Sequence, residues 1–97
     1  MSGKICQAIA GRDLLAFSYE GRSRVVEPHC HGTSRAGNEV LRAYQVRGGS
    51  NSGEPIGWKM FAVDQISGLQ IVDDHFARSR PGFNPNDKGM TSIHCHV

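Results

Sequence analysis

Apolar and polar residues alternate with period two along several short stretches of this chain, the spacing of strands with one packed face and one wet face. Leu15, Phe17 and Tyr19 alternate with Leu14, Ala16 and Ser18, and across Glu20-Gly21 the pattern resumes with Arg24 and Val26 opposed to Ser23, Val25 and Glu27. An acidic residue followed by Gly predicts a tight hairpin turn there, with Glu a weaker first residue than Asn or Asp. Pro28 lacks a ladder donor and is expected to stop the second strand, leaving His29 to Asn38 as a polar loop. From Val40 to Arg47 the third strand puts Val40, Arg42, Tyr44 and Val46 on one face, with Leu41, Ala43 and Gln45 on the other. In the fourth, Trp58, Met60 and Ala62 oppose Lys59, Phe61 and Val63. Asp64-Gln65-Ile66 predicts one helical turn, and Gly68 to Val72 a short closing strand.

Only the N-terminus shows a helical period. Ile5, Ala8 and Ile9 share a face within Lys4 to Arg12, with Ser2 or Gly3 as a cap. So short a helix needs docking against a sheet to persist. GGSNSGEPIG, Gly48 to Gly57, reads as a flexible connection. Beyond Asp73-Asp74 the pattern loses its period; Phe76, Phe83, Met90 and Ile93 either lie on the sheet as an ordered tail or belong to a mobile terminus. The expected organisation is therefore a domain over 1–72 and a tail over 73–97. Five short antiparallel strands after a helix favour a small barrel, mainly β, which hides its edges better than an open sheet.

At 97 residues the chain holds one core. It has no apolar run near the ~20 residues of a membrane span and no signal-peptide apolar region, so a cytoplasmic protein away from membranes is expected. A formal net charge of +2 is small, but basic residues concentrate in the first half, where Lys4, Arg12, Arg22, Arg24, Arg35, Arg42 and Arg47 face Asp13, Glu20, Glu27 and Glu39. Arginine suits planar, bidentate recognition of phosphate or carboxylate. An ordinary solvated surface would carry the same charges. Cys6, Cys30 and Cys95 form no CxxC unit and read as reduced thiols, Cys6 as a small core residue on the helix.

The segments AIAGRDLLAFSYEGRSRVVEP, EVLRAY and WKMFAVDQI resemble the WYL domain of bacterial regulators, a small Sm-like, Src-homology-3-like barrel. The resemblance covers Ile5 to about Ile71 and is carried by Ala8-Ile9, Phe17, Tyr19, Glu27-Pro28, Leu41, Phe61, Asp64 and Ile66. The family's Trp-Tyr pair falls on Glu39-Val40, and the two arginines of its closing segment on Lys59 and Gln65. The resemblance implies a non-enzymatic, ligand-sensing module used in transcription regulation, with a nucleotide or single-stranded nucleic acid as a possible ligand.

Arg22, Arg24, Arg42, Tyr44, Trp58 and Lys59 are the candidates for a basic-aromatic surface, with Gln65 added by the resemblance. Rings can stack on bases while cations neutralise phosphates; equally, Trp58 and Tyr44 can be packing residues. The alternative to ligand binding is self-association through an open sheet edge. His29-Cys30-His31 and His94-Cys95-His96 offer His29, His31, His94 and His96 as metal ligands if the two triplets meet, but two unrelated surface clusters are the reading adopted, with no metal and no cofactor. Neither GGSNSG, which lacks a phosphate-loop ending, nor the Cys/His neighbours, which point apart on an extended chain, supports catalysis.

Overall fold

The computed structural model describes residues 2–49, 53 and 55–97. Much of the Gly48–Gly57 connection and the side chain of Ser2, the expected cap, lie outside the described residues. The element order is α1 (Ser2–Gly11), β1 (Asp13–Tyr19), β2 (Arg22–Thr33), β3 (Glu39–Gly48), β4 (Gly57–Ala62), a 3-10 turn (Val63–Gln65), β5 (Ser67–His75) and β6 (Ser92–His96). All pairings are antiparallel. The strand order is β4-β3-β2-β1-β5, with β6 added to β2. The protein is thus mainly β, with six strands among the described residues rather than five. The ends of the order, β4 and β5, do not pair with each other among the described residues.

The sixth strand and the length of β2 belong together. β2 does not stop at Pro28 but continues to Thr33. β3 follows one of its edges throughout, whereas the other edge passes from β1, last paired at Val26, to β6, first paired at Cys30. Pro28 sits in that gap and next to a bulge, the settings in which a strand tolerates proline. The bulge falls at His29, because Pro28 pairs with Ala43 and Cys30 with Arg42. The extra residue resets the alternation, so that side chains on either side of it no longer follow one period.

Ile5, Ala8 and Ile9 of α1 dock on one face of the sheet, as their spacing requires, and join Leu15, Phe17, Val26, Leu41, Ala43 and Phe61 in the main core. Phe17 and Tyr19 meet Phe61 edge-on, at 5.0 and 4.9 Å between ring centres, the geometry that aligns ring edges with ring faces. Tyr19 accepts a hydrogen bond from the Ala62 N–H at 3.0 Å. At the β1–β2 hairpin both Glu20 and Gly21 take positive φ (52° and 75°), the requirement of the tight turn.

The opposite sheet face is not wet. A second cluster of Cys30, Val40 and Met90, with Met60, Phe83 and Ile93 against it, is built between the sheet and residues 76–91. The C-terminal segment is therefore an ordered cover, closed by β6.

Cys6 and Cys95 form a disulfide joining α1 to β6 across 89 residues of sequence. Cys30 alone is free, and buried. The expectation of three reduced thiols is corrected: a sequence separation that large hides a pairing that only the docking of both chain ends creates.

At Gly32 β6 lies close against β2; a Cβ there would collide with the Ser92 carbonyl oxygen and lie 2.9 Å from Met90 Sδ. Gly32→Ala is expected to push β6 outward and cost about 1–3 kcal/mol, as overpacking does, read as a lower urea midpoint; an unchanged midpoint would show that β6 does not pack as described.

Candidate functional site

Strand alternation and the cover decide where each candidate side chain goes. On the covered face, β3 and β4 pair Arg42 with Met60 and Tyr44 with Trp58, so these three candidates, Arg42, Tyr44 and Trp58, do form one group. The Tyr44 and Trp58 rings meet edge-on at 5.5 Å.

The others fall elsewhere. Lys59 pairs with Ala43 and by alternation belongs to the face of Phe61. Arg24 is buried, 3% exposed, with its guanidinium 5.4 Å from the Tyr19 ring centre and 5.7 Å from that of Phe61. It donates to Gln45 Oε1 and to the Tyr19 carbonyl, both at 3.3 Å. Such a cation–π and hydrogen-bonded seat makes Arg24 part of the packing. Arg22 is exposed at the β1–β2 hairpin, and Gln65 is exposed on the 3-10 turn.

Residues 76–91 grip the Arg42–Tyr44–Trp58 group through two reciprocal forks. Arg42 donates from Nε and Nη2 to Asp87 at 2.8 and 3.3 Å, while Arg80 donates from Nε and Nη2 to Glu27 at 2.7 and 3.0 Å. The sheet supplies the cation of one pair and the acid of the other. The Arg42 hydrogen bonds hold the Asp87 carboxyl below the usual range, helped by the Gly89 N–H and opposed by burial. Arg80 also lies over the Tyr44 ring at 4.5 Å. Trp58 donates its indole N–H to the Pro81 carbonyl at 3.0 Å and stacks on Phe83 at 6.2 Å. Wide, bidentate contacts of this kind define an orientation as well as an attraction.

Between sheet and cover a cleft of about 280 Å³ remains, lined by Arg42, Trp58, Gly82, Phe83, Asn84, Asp87 and Lys88. Phe83, Asp87 and Lys88 were missed from sequence because the covering segment has no period to assign it a face.

The two histidine triplets do meet, since Cys30 pairs with His96 and His31 with Cys95, but the bulges send their side chains to different places. His29 sits among Trp58, Phe76 and Phe83, with ring centres 4.7, 5.1 and 5.4 Å away. Its Nδ1–H donates to the Glu27 carbonyl at 2.7 Å and its Nε2 accepts the Arg80 backbone N–H at 3.0 Å. Both nitrogens of the neutral ring are thus occupied, leaving neither for a metal. His31 is on the other side, against Cys6 and Cys95, with the His94 ring 5.2 Å from its own. His94 Nε2 meets Thr33 Oγ1 at 2.9 Å, and the exposed His96 meets the Val97 carbonyl at 2.7 Å through Nδ1. Burial raises the Cys30 thiol to about 11, so it remains protonated at neutral pH and is a poor nucleophile.

No family model, curated protein or solved structure matches this chain.

Desolvation lowers the pKa of His29, and the nearby Arg80 charge adds to that, against the Glu27 carbonyl and carboxylate; burial lowers His31 as well. A group depressed on folding stabilises fully above its unfolded value, about 6.5, and loses that contribution as pH falls through the folded value. A lower melting temperature at about pH 5.5 than at about pH 7.5 is expected for these imidazoles, with a shallower slope in His29→Phe. A melting temperature that is flat or rises on acidification would contradict the neutral, doubly hydrogen-bonded state of His29.

Proposed function

We propose that this protein is a non-enzymatic binding module for an anionic ligand bearing a planar ring, such as a nucleotide, held in the cleft between the β3–β4 face and the C-terminal cover. The observation that carries the reading is the convergence of an indole, a phenyl ring and two cationic side chains, those of Trp58, Phe83, Arg42 and Lys88, on one cleft of about 280 Å³. Asp87 neutralises Arg42, so Lys88 is the net cation of the cleft and the natural partner of a phosphate. The volume is near the lower end of the ~300–1,000 Å³ typical of small-molecule sites. It suits one ring better than a run of stacked bases, because Arg80 occupies the Tyr44 face and Phe83 stacks on Trp58. Single-stranded nucleic acid fits this reading only through a terminal nucleotide, or after the cover lifts. The protonated, buried Cys30 and the fully engaged His29 agree with a binding role rather than catalysis. The resemblance of AIAGRDLLAFSYEGRSRVVEP, EVLRAY and WKMFAVDQI to the WYL domain, a small-barrel family with a ligand-sensing role, is the framework in which we place this activity.

Trp58 is the sole tryptophan, so its fluorescence reports on the cleft directly. Titration with a nucleoside monophosphate should quench it and the uncharged nucleoside should bind more weakly. Affinity should fall between about 50 and 200 mM salt, as a phosphate contact requires, and by about fivefold or more in Lys88→Ala, in line with the loss of one charge-assisted contact. Equal binding of nucleoside and nucleotide, insensitive to salt and to Lys88→Ala, would reject the anionic ligand.

A second reading rests on β4. It ends the strand order, its outer edge carries no strand among the described residues, and beside it Ile56 is the one large apolar side chain left widely exposed among them, at 53%. Edge-to-edge pairing of two copies would cover both. Light scattering should then give a dimer mass that returns to monomer in Ile56→Lys; a monomer at all concentrations removes this reading.

A further inference from the structure

Away from the ligand cleft, α1, β2 and β6 bring together Cys6 Sγ, His31 Nδ1 and Cys95 Sγ, all within 4.8 Å of one another. His31 Nδ1 lies 3.7 Å from the Cys6 sulfur and 4.0 Å from the Cys95 sulfur. We propose that this cluster is a disulfide-gated zinc site, closed while Cys6 and Cys95 are bonded and able to hold one Zn²⁺ once they are reduced.

The geometry is close to what a tetrahedral ion needs. Zn–S bonds of about 2.3 Å and Zn–N bonds of about 2.0–2.1 Å place sulfur and nitrogen ligands ~3.6 Å apart and two sulfurs ~3.8 Å apart. Both sulfur–nitrogen edges are already near that length. Only the sulfur–sulfur edge, closed by the covalent bond, must open. Zinc takes its ligands as thiolate and neutral imidazole.

The outer atoms of the imidazole fit as well. His31 is 1% exposed, and its Nε2 has no aligned hydrogen-bond partner. The nearest acceptor is Glu39 Oε1, at 3.2 Å. A metal on Nδ1 makes Nε2 the N–H, and a small rotation of the exposed Glu39 side chain would bring its carboxylate into line, the arrangement by which acidic groups orient ligating histidines. A groove of about 370 Å³ lined by Gly3, Cys6, His31, Glu39 and His94 opens the cluster to solvent. It provides an entry path and a fourth position for water or His94.

The switch balances with a dithiol as reductant. Two electrons and two protons pass from the dithiol to the Cys6–Cys95 bond, leaving two protein thiols and one cyclic disulfide. Zinc then displaces the two thiol protons as it forms two Zn–S bonds. A small-molecule disulfide reverses the sequence: it takes two electrons from the two thiolates and two protons from solvent to become two thiols, the Cys6–Cys95 bond re-forms, and Zn²⁺ leaves. The proposal is independent of the ligand cleft, which uses none of these residues.

The test uses protein without a histidine tag, oxidised or reduced with a phosphine that offers no thiolate of its own, dialysed against Zn²⁺ and analysed for bound metal. One zinc per chain is expected in the reduced protein and next to none in the oxidised protein. Zinc should raise the melting temperature of the reduced form alone, or refold it if reduction unfolds it. Cobalt should give thiolate charge-transfer absorption only after reduction. Cys95→Ser should abolish that absorption, and His31→Ala should weaken binding at least tenfold. Equal zinc in oxidised and reduced protein, or reduced protein that binds none whether folded or not, would overturn the proposal.

Discussion

One extra residue in one strand governs this protein. β2 is a twelve-residue strand, and its bulge at His29 resets which side chains face which side of the sheet. Because of it, His29 enters the aromatic group under the C-terminal cover while His31 reaches the helix and the disulfide. The same stretch holds Pro28 and the transfer of one strand edge from β1 to β6. Without a break in period, the two histidines would share a face, and the cover and the cysteine cluster would compete for it.

A small domain with a two-faced sheet must bury both faces from little chain. Here α1 seals one face with three apolar residues, and a segment of almost no regular structure seals the other. Such a segment lacks an internal ladder, so its position depends on side chains. Two arginine–carboxylate forks, the indole hydrogen bond and the His29–Arg80 contact supply that definition. The same contacts convert a face that alternation alone would leave wet into the wall of a cleft. Both chain ends then meet at the Cys6–Cys95 bond, which ties the helix to the strand that closes the cover.

Functional groups are accordingly divided between two places with different chemistry. The cleft combines the Trp58 and Phe83 rings with the charges of Arg42, Asp87 and Lys88. The cysteine–histidine cluster is soft, buried at its imidazole and open at its rim. Arg24, which looks like a surface cation in the sequence, serves neither; it completes the main core beside Tyr19 and Phe61.

Local pattern alone determined the helix face of Ile5, Ala8 and Ile9, the Glu20-Gly21 turn and the alternation in β1, β3 and β4, because these depend on residues within a few positions of one another. The grouping of Arg42, Tyr44 and Trp58 follows from the same period. Tertiary structure alone decided that β2 continues past Pro28, that Arg24 is interior, that residues 76–91 cover the sheet and that Cys6 meets Cys95. Each of these turns on a contact between residues far apart in sequence, where periodicity carries no information and only the packing of both sheet faces selects the partner.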